Sequence, residues 1–230
     1  MTAKIIAVFN QKGGSGKTMI AAQLAGTFGL RGFKVFVADL DNQATATFLW
    51  GTHTKARERL PATVAPMAFA GTQLPDHLLE LSATQELILL DCPPILESEP
   101  VHTSLLAADL VLIPVPPSRG DVMSSLQAGE FAAKVRDKDN PSMRIAYVVN
   151  MMRRGVFHGK AEEDLRSLAQ EPVLKSKIGL RAAFPESQAR NCTVQWIDSR
   201  SSASQEIEAL ANEVAALIGL PKKKTKGAKK

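Results

Sequence analysis

Short, nearly continuous apolar runs recur along the chain at residues 4–9, 34–38, 86–90, 110–114 and 144–149. Strands buried on both faces read this way, because side chains on either side of a parallel sheet meet helices rather than water. Between the runs, residues 19–30, 99–108, 122–135 and 161–169 carry apolar positions at helical spacing. Strand and helix in alternation predict an α/β domain with a doubly wound, mainly parallel sheet, whose ligand sits at the carboxyl ends of the strands. From 45 to 81 the pattern is poor, because Pro61, Pro66, Gly71 and Pro75 interrupt any long period; a short strand at 63–68 and a short helix at 76–81 fit best. The last helix, 203–217, is amphipathic: Ile207, Leu210, Ala211, Val214, Leu217 and Ile218 share one face, while Glu206, Glu208 and Glu213 lie elsewhere.

With 230 residues and 45% hydrophobic content the chain can bury one sizeable core, so a single domain over 1–220 is expected. The formal net charge is +5, but six lysines stand in the last nine residues (Lys222, Lys223, Lys224, Lys226, Lys229 and Lys230), which leaves the rest near −1. Residues 221–230 hold no large apolar side chain and are expected to form a disordered lysine-rich tail. No run of about 18 apolar residues occurs, and no basic segment followed by an apolar one opens the chain, which argues against a membrane span or a secretory leader. Cys92 and Cys192 lie far apart with no C-x-x-C spacing, so a reduced, cytoplasmic protein is expected.

The candidate chemistry begins directly after the first run, at Lys12-Gly13-Gly14-Ser15-Gly16-Lys17-Thr18. Gly-x-x-x-x-Gly-Lys-Ser/Thr is a phosphate-cradling pattern in which backbone amides curl around an anion and the lysine adds a point charge. Gln11 stands at the position of the leading glycine, yet Gly13, Gly14 and Gly16 still let the backbone close. Strand, glycine loop and helix follow in the order that aims helix amides and dipole at negative charge. On this reading Lys17 lies on the β- and γ-phosphates and the Thr18 hydroxyl ligates Mg²⁺.

Two further runs end in acids. Residues 34–38 lead into Asp39-Leu40-Asp41-Asn42-Gln43, and paired carboxylates at a strand's end suit magnesium and its waters, or are simply two acids in a turn. Residues 87–90 end at Asp91, followed by Cys92-Pro93-Pro94, as a buried strand delivering a carboxylate to magnesium should. Cys92 reads as a small buried residue rather than a nucleophile, because no histidine is near it in sequence.

The loop with its extra lysine resembles the deviant Walker A ATPases of the ParA and MinD superfamily, whose signature is Lys-Gly-Gly-x-Gly-Lys-Thr/Ser, and the chain looks most like the small ParA-type partition and positioning ATPases. The resemblance covers most of the chain and is strongest in the first 45 residues and at 87–94. It implies a P-loop NTPase fold with ATP and Mg²⁺ as cofactors. It further implies that Lys12 crosses a nucleotide-sandwich homodimer to touch the partner's ATP, that Asp39 lies near the magnesium shell, that Asp41 orients the attacking water, and that Asp91 is the Walker B carboxylate. Asn150, after the run 145–149, falls where related proteins contact adenine, although an asparagine ending a strand is also an ordinary turn residue. Residues 114–121 resemble the Pro-Ser-x-x-Asp segment of the small relatives, near the nucleotide or the dimer interface. Two departures stand out: Met19 replaces the second threonine of the loop, and Asn42 replaces the proline of Asp-Leu-Asp-Pro-Gln.

The resemblance also implies non-specific binding to double-stranded nucleoid DNA, a homodimer in the ATP state, and a ParB-like or other cargo adaptor that stimulates hydrolysis. Candidate phosphate contacts are Arg181 and Arg190, in the C-terminal third where such proteins place their DNA patch, and Lys222, Lys223 and Lys224 in the tail. Surface arginines are as often solvated or paired with acids. The chain begins at its first strand, without the N-terminal extension of larger plasmid-partition relatives, so operator reading is not expected. The alternatives are a MinD-like membrane-positioning ATPase, disfavoured because the last helix has an acidic polar face where lipid binding asks for a basic one, and an ATP-dependent metabolic enzyme of the same fold.

Overall fold

The computed structural model describes residues 3–51, 60–153 and 155–223. Strands β1 (Lys4–Val8), β2 (Val35–Asp39), β3 (Thr63–Pro66), β4 (Leu87–Asp91), β5 (Leu110–Val115), β6 (Arg144–Met152) and β7 (Val173–Gly179) form one parallel sheet in the order β3-β2-β4-β1-β5-β6-β7. The helices are α1 (Lys17–Leu30), α2 (Leu74–Thr84), α3 (Glu99–Ala107), α4 (Arg119–Asp139), α5 (Val156–Leu168), α6 (Ala183–Ala189), α7 (Val194–Ile197) and α8 (Ser202–Ile218).

The sheet has a core on each face, and the two-residue period of the strands divides them. Ile6 and Val8 of β1, with Leu87 and Leu89 of β4, pack against α1 and α8; Ile5, Ala7, Ile88 and Leu90 pack on the other side against α2 to α5. The doubly wound parallel sheet expected from the apolar runs is therefore present, with β1 and β4 at its centre. All five residues of β4 are buried, which is why they read as a continuous apolar run.

Three elements are additional to those expected. β7 is an edge strand whose Leu174, Ser176 and Ile178 point inward while Lys175 and Lys177 face water, so its alternation lacks the apolar run of the central strands. α6 and α7 follow it as short helices.

The glutamates of α8 turn out to face the protein. Glu213 accepts the amides of Lys175 and Ser176 at 2.9 and 2.6 Å, together with the Ser176 hydroxyl, and Glu206 accepts the amide of Gly179 at 3.0 Å. These carboxylates bond edge-strand amides that would otherwise offer a template for another chain. Partial burial pushes the Glu213 carboxyl up, but the Ser176 hydroxyl and the two amides outweigh it and hold it below the ordinary carboxylate range. A depressed carboxylate adds stability above its unfolded value and loses it as pH falls through the folded one. Glu213→Ala is expected to cost about 1–3 kcal/mol at pH 7, and the gap from the parent should narrow below pH 4 in denaturant titrations; an unchanged midpoint at pH 7 would show that β7 is held by other contacts.

Candidate nucleotide site

The glycine loop is pinned from below before it turns. Asn10, fully buried at the end of β1, donates its amide to the Pro114 carbonyl and the Ser125 hydroxyl at 2.8 Å each, and its oxygen accepts the Lys12 amide at 2.9 Å. Gln11, in the place of a leading glycine, donates to the Ser124 carbonyl at 3.1 Å and to Gln127 at 2.8 Å. Both residues thus tie the loop to α4. Gly14 and Gly16 take left-handed backbone, with φ of 74° and 89°, and a Cβ on Gly16 would lie 2.2 Å from the Asn150 amide nitrogen. Glycine is required at Gly16 on both counts.

Asn150 does not end a strand: β6 continues to Met152, and the Asn150 amide donates to the Ser15 carbonyl at 2.7 Å. It latches the loop to β6 and lines the cavity beside it. That cavity, of about 410 Å³, opens between the loop, Asp41 and the β7–α6 junction. Gly13, Gly14, Gly16, Lys17 and Thr18 of the loop line it, with Met151 beside Gly16, together with Leu180, Pro185 and Gln188. This last part of the lining was not anticipated, because it is built by β7 and α6; the short-period alternation of residues 173–178 was the available signal. Met19, in place of a threonine, also lines the cavity.

The charges divide the labour between three carboxylates. Lys17 is buried, its ammonium donating to the Lys12 carbonyl at 3.3 Å; burial lowers its pKa, opposed by Asp91 and Asp41. Asp39 is fully buried, and each of its oxygens is taken by a backbone amide, Asp41 at 3.3 Å and Thr47 at 2.8 Å. Its visible task is to fold the 41–47 loop over the end of β2. Asp91, two strands' ends together with Asp39 in register, is different: neither oxygen receives a well-formed hydrogen bond. Burial pushes its carboxyl up to about 7, and the Thr18 hydroxyl and Lys17 ammonium offset only part of that. Asp41 is half-buried on the cavity wall, one oxygen held by the Gln43 amide at 2.9 Å. Cys92 is buried, and burial pushes its thiol up to about 12, so it is no thiolate nucleophile.

Lys12 opens the loop with its side chain about half exposed, its ammonium 3.5 Å from Asp121 of α4. Asp121 is itself set by Ser118, which caps α4 by accepting the Asp121 amide at 3.2 Å.

The chain matches the CobQ/CobB/MinD/ParA nucleotide binding domain over residues 6–194. It belongs to that family. Among relatives of this family, the maintenance of carboxysome distribution protein A of Halothiobacillus neapolitanus is 28% identical, across 91% of this chain and 95% of its own. The chromosome-partitioning ATPase Soj of Thermus thermophilus is 27% identical, across 93% and 96%. Among solved structures, the septum site-determining protein MinD of Pyrococcus horikoshii, in complex with Mg-ADP, superposes with a TM-score of 0.77 at 19% identity, over 95% of this chain and 98% of that one. The fold is thus that of the ParA/MinD P-loop NTPases, and the relatives are partition and positioning proteins.

The residues present fit the magnesium nucleotide of this family. A left-handed glycine cradle, a buried lysine, and a buried carboxylate with no well-formed hydrogen bond on either oxygen form a site complementary to an anion and its cation. Among the described residues no three His, Cys, Asp or Glu side chains cluster as a protein cage, so a cation here would keep water and phosphate oxygens as ligands, as Mg²⁺ does.

The expected DNA contacts are placed less simply. Arg181 lines the cavity mouth and is paired with Glu206 of α8, its Nε 2.9 Å from a carboxylate oxygen. Arg190 pairs with Glu186 at 2.8 Å. Lys223 binds Glu86 at 2.5 Å, donates to the Gly32 carbonyl and lies 4.4 Å from the centre of the Phe33 ring. These three are satisfied within the chain because acids stand opposite them in the fold, which a linear reading of charge cannot see. Lys222 is exposed, and Lys224 and the lysines after it lie outside the described residues.

Proposed function

We propose that the chain is a magnesium-dependent ATPase that partitions or positions a cargo. The observation that carries this reading is Lys12: a second loop lysine, its side chain half exposed and directed to Asp121, next in sequence to the Gly13 that lines the cavity with Lys17, Thr18 and Asp41. ATP closes a homodimer in which each Lys12 reaches the nucleotide of the other protomer. When bound, Mg²⁺ neutralises phosphate charge and fixes its geometry. Gly13 to Thr18 cradle the phosphates, Lys17 holds the terminal ones, and Thr18 and Asp91 hold the cation's side. Asp39 keeps the 41–47 loop in place, and Asp41 orients the water for hydrolysis.

The dimer binds double-stranded DNA without reading sequence, and a cargo adaptor stimulates turnover. This places the protein in the cytoplasm on the nucleoid, with residues 1–220 as the ATPase domain and 221–230 as a basic tail. Doubling weak phosphate contacts in a dimer multiplies affinity, so nucleotide gates the switch. Because Arg181, Arg190 and Lys223 start out paired, the first contacts fall to Lys222 and the lysines after Lys223, with Arg181 exchanging Glu206 for phosphate only on close approach. A membrane role is opposed by α8, whose Glu206, Glu208 and Glu213 bind β7, Arg181 and Arg31 instead of meeting a surface; among the described residues no helix is long and apolar enough to cross a bilayer.

The test is binding to random-sequence double-stranded DNA at fixed salt with ATP, ADP or no nucleotide, comparing the full chain with one ending at Lys223, which keeps the Glu86 clamp. Tight binding is expected with ATP alone, weakened at least about tenfold by the truncation. Binding of equal strength in all nucleotide states would refute the switch.

A further inference from the structure

Among the described residues many lysines and arginines are matched to acids, and two that are not, Arg119 and Lys160, line the same groove. Arg119, Arg153 and Lys160 are exposed and enter no ion pair among the described residues. Arg119 and Lys160 line an open groove of about 740 Å³ between the start of α4 and one face of α5, whose lining also includes Met123, Phe157 and Leu168. Phe157 is 88% exposed and its neighbour Val156 86%, while Met123 and Leu168 are each 50% exposed. Large apolar side chains clustered on a groove mark an interaction site rather than the scattered apolar residues of an ordinary surface.

The helix that carries them is well fixed. The buried Glu162 of α5 binds Lys177 of β7 at 2.6 Å and Arg166 at 3.0 Å, and Ala161 and Leu165 are buried against the sheet. The exposed first turn is thus presented on a rigid base. Its charge is one-sided. Two helix N-termini, each with a positive end, meet at the groove; α5 has no acid in its first turn, and the acid of α4's first turn, Asp121, is held by Ser118 and Lys12. Asp164, about two turns further along α5, is the acidic member of the lining.

We propose that this groove docks an acidic segment of a partner protein, a short stretch in which an Asp or Glu flanks one large apolar side chain. The apolar side chain enters between Met123, Phe157 and Leu168, and the acids meet Arg119, Lys160 and the two helix ends. A groove with two lining cations beside the acid Asp164 favours a protein segment over nucleic acid, whose phosphates need a broad basic field. The inference rests on the proposed function only in naming the partner as the cargo adaptor; docking stands apart from it.

The experiment is selection of random twelve-residue displayed peptides on the full chain, followed by fluorescence anisotropy of the enriched peptides with the parent, Phe157→Ser, and Arg119→Glu combined with Lys160→Glu. Fluorescent ATP binding and thermal melting are measured on each to confirm that the variants fold. Enrichment of Asp or Glu around Leu, Phe or Met is expected, with affinity falling at least tenfold in Phe157→Ser and at least tenfold in the charge-reversed variant. A basic or charge-free consensus, or peptides indifferent to Phe157, would overturn the proposal. So would a Phe157→Ser variant that keeps peptide binding but loses binding to random-sequence DNA, to phosphatidylglycerol vesicles, or to a second copy of the chain in sedimentation. Loss of ATP binding in the parent would refute the proposed function while leaving the peptide result intact.

Discussion

Asp91→Asn is expected to abolish magnesium-dependent nucleotide binding and, in the same protein, to raise the stability of the nucleotide-free state above pH 7. The two effects have one cause. Asp91 is buried at the end of β4 with neither oxygen in a well-formed hydrogen bond, and burial pushes its carboxyl from 3.8 to about 7. A group raised in the folded state holds a proton there that the unfolded chain has already released, so this group's contribution falls as pH rises from about 4 to about 7 and is flat beyond. At about 1.4 kcal/mol per pKa unit, the full swing is on the order of 4 kcal/mol. Asparagine keeps the shape and removes the charge. Denaturant midpoints of the nucleotide-free parent should decline between about pH 4 and pH 7 relative to those of Asp91→Asn, and adding Mg²⁺ with ADP should restore the parent alone. Parallel pH profiles for the two proteins would show that Asp91 is not the stored charge, and retained magnesium-dependent binding in the variant would remove it from the cation site.

That division between Asp91 and Asp39 was not legible in the chain. Both are acids ending apolar strands, and both are buried side by side. What separates them is the amide of Thr47, which returns to Asp39 from eight residues downstream at 2.8 Å. Sequence spacing identifies where a carboxylate will stand; only the path of the following loop decides whether its oxygens are already taken.

The same distinction runs through the fold. The central strands were readable because two-sided burial leaves an unbroken apolar signature, as in Leu87 to Leu90. β7 escaped because an edge strand needs only one apolar face, and Lys175 and Lys177 occupy the other. With it went part of the cavity lining, Leu180, Pro185 and Gln188. The basic residues show a further limit: charge is visible in a sequence, but its partner is not. Arg181 meets Glu206 across 25 residues and Lys223 meets Glu86 across 137, so only the fold shows which of the two expected states, solvated or paired with an acid, each adopts. The loop itself was fully legible, since Gly14 and Gly16 sit where left-handed backbone is needed and nothing distant changes that requirement.

Lys12→Ala is expected to leave the monomer's affinity for ATP within about twofold of the parent and to lower ATP-dependent dimerisation at least about 100-fold. The cradle does not need this side chain: its amide is already held by Asn10 and its carbonyl by Lys17, both through the backbone. Nor does the monomer's stability depend on it, because its contact with Asp121 spans 3.5 Å between partly exposed groups and such pairs contribute about 1 kcal/mol or less. What the alanine removes is a positive charge at the start of the loop, available to a second molecule. In a closed dimer that charge would be desolvated against phosphate, where loss of one partner costs about 2–5 kcal/mol. Sedimentation of parent and variant with ATP, beside fluorescent nucleotide titration of each monomer, separates the two roles. A variant that still dimerises with ATP would place Lys12 outside the interface, and one that no longer binds ATP as a monomer would make it a member of its own protomer's cradle.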